Sequence, residues 1–414
     1  MVNVVKIAVR NLLRYTRRSL LTVSLIAFGV VFVLVFVAMA GSFKEAIVAS
    51  ITDSYLGHVQ VHQRGYVASI ESLPLNLNIE PAKLATIQEA LGSVPDVASA
   101  SERIKFNAMF STFVETTGLR VTAVYPDQEF AVCPKLPTRV AQGDRTPAAL
   151  ARGKILVPEL LARGMGIKVG ATVVVVATNK DGSVNGKTLL VSGIIESATG
   201  PGGRDGYIHF EDAMEILRMP GKEITEVAIR LRDFGQIERV GRALRERLEG
   251  GGGGQAALEV HTWAQLSPFS TVARLIDMMA LFMKVMLIAI VLISVLNVMI
   301  MAVYERVREI GTIAAIGTLP SRILSLFLVE GVLLGVAGAA AGVLAGAAII
   351  LALNVWKVSV RFGGSLQLFV LSPRIDLFEV LVASLMVIVV SVVASVQPAV
   401  RASRMEPIDA LRHV

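Results

Sequence analysis

One short string in the sequence has the residue types of a phosphate-binding loop. It is DGSVNGKT at 181–188, which contains the Gly-Lys-Thr of that motif. The motif needs four residues between its first glycine and the Gly-Lys pair, and Asp181 stands where that glycine belongs. The string also lies between two predicted strands, with no helix N-terminus to hold a phosphate. We therefore predict a hairpin turn here and no cofactor bound by this chain.

The sequence supports neither metal binding nor nucleophilic catalysis. His58 and His62 are four residues apart, which on a helix would place two ligands on one face. They alternate with Val59 and Val61, however, which is the periodicity of a strand. The single cysteine, Cys133, cannot form an internal disulfide and has no partner at metal-ligand spacing. We predict no catalytic or metal residue and do not expect an enzyme.

Two charged side chains lie within apolar segments, where a charge is costly. Glu330 lies about 11 Å along a helix from Ile323, and a carboxylate there must be paired or face water. We expect it to bond to the backbone of a neighbouring helix or to a serine, with a proton relay as the alternative. Lys284 is near the outer end of its segment, so it either snorkels to the headgroups or faces an amphiphilic substrate.

Four apolar segments must position these charges. The 414 residues are 54% hydrophobic and 18% charged, whereas soluble domains are about 25% charged, so a disordered chain is excluded and a soluble enzyme nearly so. About 20 apolar residues cross a membrane. The first segment is too long for the core of a cleavable signal peptide. The sequence predicts transmembrane helices at 19–41, 277–303, 323–353 and 377–396.

Basic residues in the short flanking segments predict the orientation. Eleven lysines and arginines lie in 1–18, 304–322 and 397–414, whereas the loop 354–376 has three. Both termini are therefore predicted to be cytoplasmic, and 1–18 is predicted to form a basic amphipathic helix. Contact with anionic lipid explains the net charge of +7, so nucleic-acid binding is not expected.

The segment 42–276 is predicted to be a folded extracytoplasmic domain. Runs of period two, such as 172–177, predict strands, and 81–91 and 234–248 have helical patterns. The fold class is thus a membrane α-helical protein of four transmembrane helices, with a large α+β domain inserted between helices 1 and 2. The stretch 261–278 has helical spacing, so we expect it to run without interruption into the second transmembrane helix.

Glycines in the third predicted transmembrane helix recur every three or four residues. They share one stripe, which permits close approach of a neighbouring helix. The stripe consists of Gly331, Gly335, Gly338, Gly342 and Gly346.

Several strings resemble the FtsX-like permease family, which includes MacB-type and LolC/LolE-type proteins. The sequence ERVREIGTIAAIG at 305–317, followed by LFLVEGVLLGVAG at 326–338, resembles the core signature of that family. The start at 9–30 and the end at 398–412 are similar to its first span and its cytoplasmic tail. The segment 41–66 looks more like the LolC/LolE branch, which releases lipoproteins, than the MacB branch.

The resemblance implies the permease subunit of a type VII ABC transporter in the inner membrane. Such permeases dimerise, and they use ATP hydrolysis by an ATPase on the cytoplasmic side to move their outer domains. ATP and Mg would bind to a separate ATPase dimer, and the second permease is either another copy or a paralogue. Membrane lipid is a further expected partner, as is a periplasmic carrier or adaptor protein.

The resemblance also implies a function and a coupling helix. The leading function is extraction of a lipoprotein or another lipidated substrate from the membrane. The alternatives are MacB-like efflux of a small amphiphile or peptide through an outer-membrane channel, and FtsX-like signalling to a cell-wall hydrolase. Residues 305–317 are expected to dock into the ATPase, although their charges could instead only anchor the segment at the headgroups. The residues assigned to coupling are Glu305, Arg306, Arg308, Glu309, Gly311 and Gly317.

Overall fold

The computed structural model describes residues 2–196, 205–249, 257–357, 359–361 and 368–406. The chain divides into two compact units. The helical unit comprises residues 1–45, 273–359 and 370–414, and the outer unit comprises 46–272 and 360–369. The predicted loop 354–376 and tail 397–414 fall partly outside the described residues, the tail from 407 onward.

The described residues form twelve α-helices. They are α1 (Val2–Arg14), α2 (Thr16–Ile51), α3 (Pro81–Gly92), α4 (Pro126–Val132), α5 (Glu159–Gly164), α6 (Phe210–Ile216), α7 (Ile237–Leu248), α8 (Trp263–Leu266), α9 (Phe269–Glu305), α10 (Val307–Ala315), α11 (Pro320–Trp356) and α12 (Leu377–Ser403). Helix α2 is followed directly by a π-helical turn, Thr52–Leu56.

Four helices of the described chain are long and apolar enough to cross a membrane. They are α2 with its π-helical turn, α9, α11 and α12, and each contains one of the predicted spans. Each is longer than 26 residues, whereas about 20 residues cross the hydrocarbon core. The apolar side chains buried between them form one continuous cluster, which includes Ile26, Val291, Leu334 and Val387.

The glycine stripe of α11 lies against two different helices. A methyl group added at Gly331 would lie 2.5 Å from Ser395 Oγ of α12, and one added at Gly335 would lie 2.8 Å from Ser391 Oγ. The other three glycines, Gly338, Gly342 and Gly346, instead face Ile26, Val30 and Leu34 of α2. The stripe therefore lets α12 and α2 approach α11 more closely than a side chain would allow.

The outer unit is built on a mixed sheet. Its strands are β1 (Val59–Gln63), β2 (Val97–Ser111), β3 (Thr116–Val124), β4 (Val140–Gly143), β5 (Lys154–Pro158), β6 (Thr172–Thr178), β7 (Val184–Ile195), β8 (Asp205–His209), β9 (Glu226–Leu231) and β10 (Leu258–Thr262). Two further short strands, β11 (Ser359–Arg361) and β12 (Leu368–Val370), pair with each other.

The strand order of the sheet confirms the α+β class. Within the described residues the order is β10-β1-β9-β2-β3-β8-β5-β7-β4, and β6 pairs with β2 and β7. The pairs β3–β8 and β5–β7 are parallel, and the others are antiparallel. The predicted hairpin is confirmed: β6 and β7 are antiparallel neighbours, and Gly182 in their turn has φ of +83°.

The prediction of an unbroken helix over 261–278 was wrong up to Pro268 and is confirmed after it, where α9 runs without a break from Phe269 to Glu305. His261 lies in strand β10, which pairs with β1, and helix α8 ends at Leu266. Ser267 is extended, with φ of −108° and ψ of 129°, and α9 begins at Phe269. Pro268 explains the break, because a proline disfavours the helical conformation of the residue before it.

Candidate coupling site in the helical unit

The chain changes direction twice between α9 and α11, and α10 lies between the two bends. Arg306 leaves the helical conformation, with φ of −111° and ψ of 15°, so α10 starts as a new helix. At the other end Gly317 has φ of +91°, a value that glycine adopts without strain, and Thr318 donates its N–H to Ile313 O. Pro320 then starts α11 at a position that needs no N–H donor.

Arg306 and Glu330 form a buried ion pair beside α10. Arg306 Nη1 lies 3.0 Å from Glu330 Oε1, and Asn11 Nδ2 donates to the same oxygen at 2.8 Å. The guanidinium of Arg306 also lies 4.8 Å from the centre of the Tyr15 ring. A buried charge is tolerated when it is paired and hydrogen-bonded. Glu330 thus has two side-chain partners, instead of the backbone or serine expected from the sequence.

Two further ion pairs connect the start of the chain to the same segment. Arg18 Nη1 lies 2.8 Å from Glu305 Oε2, and its Nη2 donates to Val298 O at 2.5 Å. Arg14 Nη1 lies 3.3 Å from Glu309 Oε1, with both side chains more than half exposed. Helix α1 and the start of α2 are therefore bonded to the end of α9, to α10 and to α11.

Three large apolar side chains are exposed on α10 and on the bend that follows it. Ile316 is 80% exposed, Leu319 is 60% exposed, and Ile313 is 43% exposed, with Arg308 exposed beside them. A protruding apolar surface of this kind suits docking into a groove of another protein. We call these four residues the docking surface.

The structure thus changes the composition of the predicted coupling site. Of the six residues assigned from the sequence, Arg308 contributes to the docking surface, and Gly317 shapes the bend. Arg306 and Gly311 are buried, while Glu305 and Glu309 pair with the arginines of α1 and α2. The sequence analysis considered the charges and missed the exposed apolar residues, of which Ile313 lies in α10 and Ile316 and Leu319 lie in the bend after it.

Lys284 of α9 is held by a partner that the sequence reasoning did not identify. Its Nζ lies 2.7 Å from Glu379 Oε2 in the first turn of α12. Neither the snorkelling hypothesis nor the substrate hypothesis included this ion pair. Nearby, Lys44 of α2 donates to both oxygens of Asp277 at 2.7 Å. These pairs connect α9 to α12 and to α2 at one end of the helical unit.

A second buried polar cluster lies in the outer unit, and the sequence did not predict it. Arg103, which is 1% exposed, lies 2.8 Å from Glu129 and 2.9 Å from Glu226, and both carboxylates are fully buried. Burial opposes the charge of Arg103, but the two carboxylates outweigh it and raise the pKa of the guanidinium. Burial also opposes the charge of Glu226, yet Lys105, His62 and Arg103 hold its pKa well below the usual range.

Cys133 and His58 lie in the same part of the outer unit. Burial, together with the charge of Glu129, raises the pKa of the Cys133 thiol to about 12. Burial and the charge of Arg230 lower the pKa of His58 to about 4, and His58 Nδ1 accepts the N–H of Leu231. Across the residues that the structure describes, no three His, Cys, Asp or Glu side chains are placed to hold a metal ion.

Comparisons with known families match nearly the whole chain. Residues 19–247 match the MacB-like periplasmic core domain, and residues 281–407 match the FtsX-like permease C-terminal domain. The first match covers nearly all of α2 and most of the outer unit. The second covers α9 to α12, including the docking surface.

Individual relatives match at different lengths. The chain is 24% identical to the lipoprotein-releasing system transmembrane protein LolC of Xylella fastidiosa over 337 residues, which is 77% of this chain and 78% of that one. It is 40% identical to the macrolide export ATP-binding/permease protein MacB 1 of Aeromonas hydrophila over 119 residues, 29% of this chain and 17% of that one. The periplasmic region of MacB from Actinobacillus actinomycetemcomitans is 12% identical, with a TM-score of 0.36, over 54% of this chain and 94% of that structure.

Proposed function

Because the chain belongs to the family of multi-pass membrane proteins with a MacB-like periplasmic core domain and an FtsX-like permease C-terminal domain, we propose that it is a permease subunit driven by a separate ABC ATPase. FtsX-like permeases pair with such ATPases. ATP and Mg would bind to that partner, and a second permease, either a copy or a paralogue, would complete the transporter.

The observation that carries this proposal is the way α10 is built. The docking surface is exposed on α10 and on the bend after it. Glu309 of α10 pairs with Arg14 of α1, and the two residues just before α10, Glu305 and Arg306, pair with Arg18 of α2 and Glu330 of α11. A push on α10 would therefore reach α1 through Arg14, and it would reach α2 and α11 through Glu305 and Arg306, the two residues that precede α10. The eleven basic residues of the short flanking segments support placing α10 and both termini in the cytoplasm of the cell, with the outer unit in the periplasm.

We propose a lipidated substrate, which the permease extracts from the inner membrane. One face of α9 carries Met278, Met279, Phe282 and Met286, each at least 43% exposed. Unbranched, polarisable methionines adapt to acyl chains of different shape. By the period of the helix, Lys284 points about 180° away from this face, which agrees with its bond to Glu379. The LolC relatives, which are named as transmembrane proteins of a lipoprotein-releasing system, match over 77% of the chain.

The experiment is a release assay with the permease and its ATPase reconstituted in proteoliposomes. The substrate is a fluorescent lipopeptide with two or three acyl chains, and a soluble acyl-binding protein is added outside as the acceptor. We expect ATP-dependent transfer to the acceptor, abolished by an inactive ATPase and reduced by Phe282→Asp. The matched control is Leu381→Asp, an exposed leucine of α12 away from the α9 face, which we expect to retain transfer.

Other outcomes identify the alternative functions. ATP-dependent loss of a small amphiphile that needs no acyl chain would contradict lipid extraction and support efflux, to which the 40% identity with an export protein points. ATP hydrolysis with no movement of either substrate would contradict both and support signalling through the outer unit.

A further inference from the structure

Helix α2 enters the outer unit without a break and ends there in a π-helical turn. The helix runs from Thr16 to Ile51, and the turn Thr52–Leu56 follows at once. Gly57 closes the turn by donating its N–H to Thr52 O at 3.0 Å, with φ of +74°, a conformation suited to glycine. Single π-helical turns are rare and are frequently found at functional sites. The chain then enters β1, near the end of the sheet.

Asp53 in this turn is held from two sides of the outer unit. Its Oδ1 lies 2.7 Å from Arg230 Nη1 of β9, and its Oδ2 lies 3.2 Å from Lys135 Nζ. The backbone N–H of Lys135 also donates to Asp53 O at 2.8 Å. The Asp53 side chain is 15% exposed, so these pairs are less screened than surface ion pairs.

The backbone carbonyls of the turn are held as well. Arg103 Nη1 donates to Tyr55 O at 2.6 Å, and Arg139 Nη1 donates to Ser54 O at 3.4 Å. Gln60 Nε2 donates to Leu56 O at 2.7 Å. Carbonyl groups at the end of a helix have no partner within it, so each of these bonds replaces one that the helix itself does not supply.

Arg103 fixes the turn because it is itself fixed by the sheet and by α4. Its Nε and Nη2 donate to the two oxygens of Glu129, each at 2.8 Å, and its Nη1 donates to Glu226 of the adjacent strand β9. Bidentate pairing of a guanidinium with a carboxylate restricts its orientation as well as its position. Tyr55 is therefore bonded to a side chain that has little freedom to move.

The connection through α9 is of a different kind. Ser267 is extended, and α9 begins only after Pro268, so no continuous helix leads from β10 into α9. Local hydrogen bonds cross this connection, such as Ser267 N–H to Trp263 O and Ser270 N–H to Ser267 O. An extended residue next to a proline separates two rigid elements in the way a hinge does.

On the basis of the proposed function, we propose that the π-helical turn Thr52–Leu56 is the rigid joint through which α2 moves the outer domain, while Ser267–Pro268 is the compliant connection. Asp53, Arg103 and Arg230 are then positioning residues of the transport cycle. Displacement received at α10 passes to Glu305 at the adjoining end of α9 and from there to Arg18 of α2, and the joint delivers it to β9 and β2. The same contacts would also stabilise a static domain, so a test must measure movement.

The test compares two insertions in the full complex with its ATPase in lipid nanodiscs. Two glycines are inserted between Ile51 and Thr52 in one variant, and between Ser267 and Pro268 in the other. Spin labels at Val184→Cys in the outer unit and Leu377→Cys in α12 report the distance between the two units in one chain. The distance distribution is compared between the nucleotide-free state and the state trapped with ADP and vanadate.

We expect the insertion at 51/52 to abolish the nucleotide-dependent distance change, while the insertion at 267/268 preserves it. Asp53→Ala should reduce the nucleotide-dependent distance change. Asp53→Glu, which keeps the charge, should give a change between those of Asp53→Ala and the unmodified protein. A nucleotide-dependent distance change that persists after the 51/52 insertion would contradict a rigid joint at Thr52–Leu56, but it would not contradict the proposed function. No distance change in the unmodified complex would contradict the proposed function, and the joint with it.

Cys133 provides a native reporter of whether the joint opens. Its sulfur lies 3.2 Å from Arg103 Nη2 and 3.9 Å from Thr52 O, and its side chain is fully buried. A rigid joint predicts that maleimide labels Cys133 equally slowly with and without ATP turnover, and rapidly after denaturation. Faster labelling during turnover would show that the turn separates from Arg103, and it would overturn the proposal.

Discussion

The guanidinium of Arg306 donates to the carboxylate of Glu330 at 3.0 Å, with both side chains at least 92% buried. The two residues lie 24 positions apart, on either side of α10. Asn11 donates to the same carboxylate oxygen from α1. One buried ion pair therefore fixes the bend before α10, the helix α11 and the start of the chain relative to each other.

Removal of one partner of this pair is expected to destabilise the helical unit. Glu330→Leu leaves the buried charge of Arg306 without a carboxylate, which costs about 3–5 kcal/mol, whereas the double variant Arg306→Met with Glu330→Leu should be close to neutral. Thermal unfolding of the detergent-solubilised chain measures both. If the double variant is as unstable as the single one, the pairing does not account for the loss.

The glycine stripe predicts a graded response to added methyl groups. Gly338→Ala would place its Cβ 2.5 Å from Ile26 Cγ2, whereas Gly346→Ala would meet Leu34 Cδ1 at an ordinary 3.5 Å. Overpacking a tight contact typically costs about 1–3 kcal/mol, so only Gly338→Ala should lower the unfolding temperature. Equal effects of the two substitutions would contradict the close approach of α2 to Gly338.

Acidification is expected to destabilise the outer domain through His58. Because burial lowers its pKa from 6.5 to about 4, the unfolded chain binds more protons between these values, and stability falls as the pH decreases through this range. His209 and His261, whose pKa values are also lowered by burial, act in the same direction. His58→Gln should therefore reduce the slope of unfolding temperature against pH. An unchanged slope would rule out His58 as a contributor.

A substitution at Glu309 in the exposed pair Arg14–Glu309 is expected to change ATPase binding without changing the stability of the fold. An ion pair this exposed contributes about 0–1 kcal/mol, so Glu309→Lys should leave the unfolding temperature nearly unchanged. Because Glu309 lies beside Arg308 of the docking surface, Glu309→Lys should nevertheless reduce copurification of the ATPase. Arg14→Glu serves as the control, because it breaks the same pair on α1. If Glu309→Lys binds the ATPase normally and Arg14→Glu does not, α1 has the role that we give to α10.

Periodicity and charge counts predicted the four spans and the α+β class because those features are local. They also showed that Glu330 needs a partner, but Asn11 and Arg306 are brought to it only by packing of α1 and α10 against α11. The Arg103 cluster depends on sheet order: β2 and β9 are adjacent in the sheet, although Arg103 and Glu226 are 123 positions apart in sequence. The helical spacing over 261–278 led to a wrong prediction for residues 261 and 262. They belong to β10, which pairs with β1, a strand from the start of the outer unit's sequence.

Binding of the ATPase to the docking surface on α10 and the bend after it can be tested directly. Ile316→Asp places a charge on its most exposed apolar residue, and Val184→Asp makes the same change on an exposed hairpin of the outer unit. The measurement is copurification of the cognate ATPase with the permease in detergent, followed by the ATP hydrolysis rate of the complex in nanodiscs. We predict that Ile316→Asp loses both, while Val184→Asp retains both. Normal ATPase binding and hydrolysis by Ile316→Asp would show that the docking surface does not hold the ATPase.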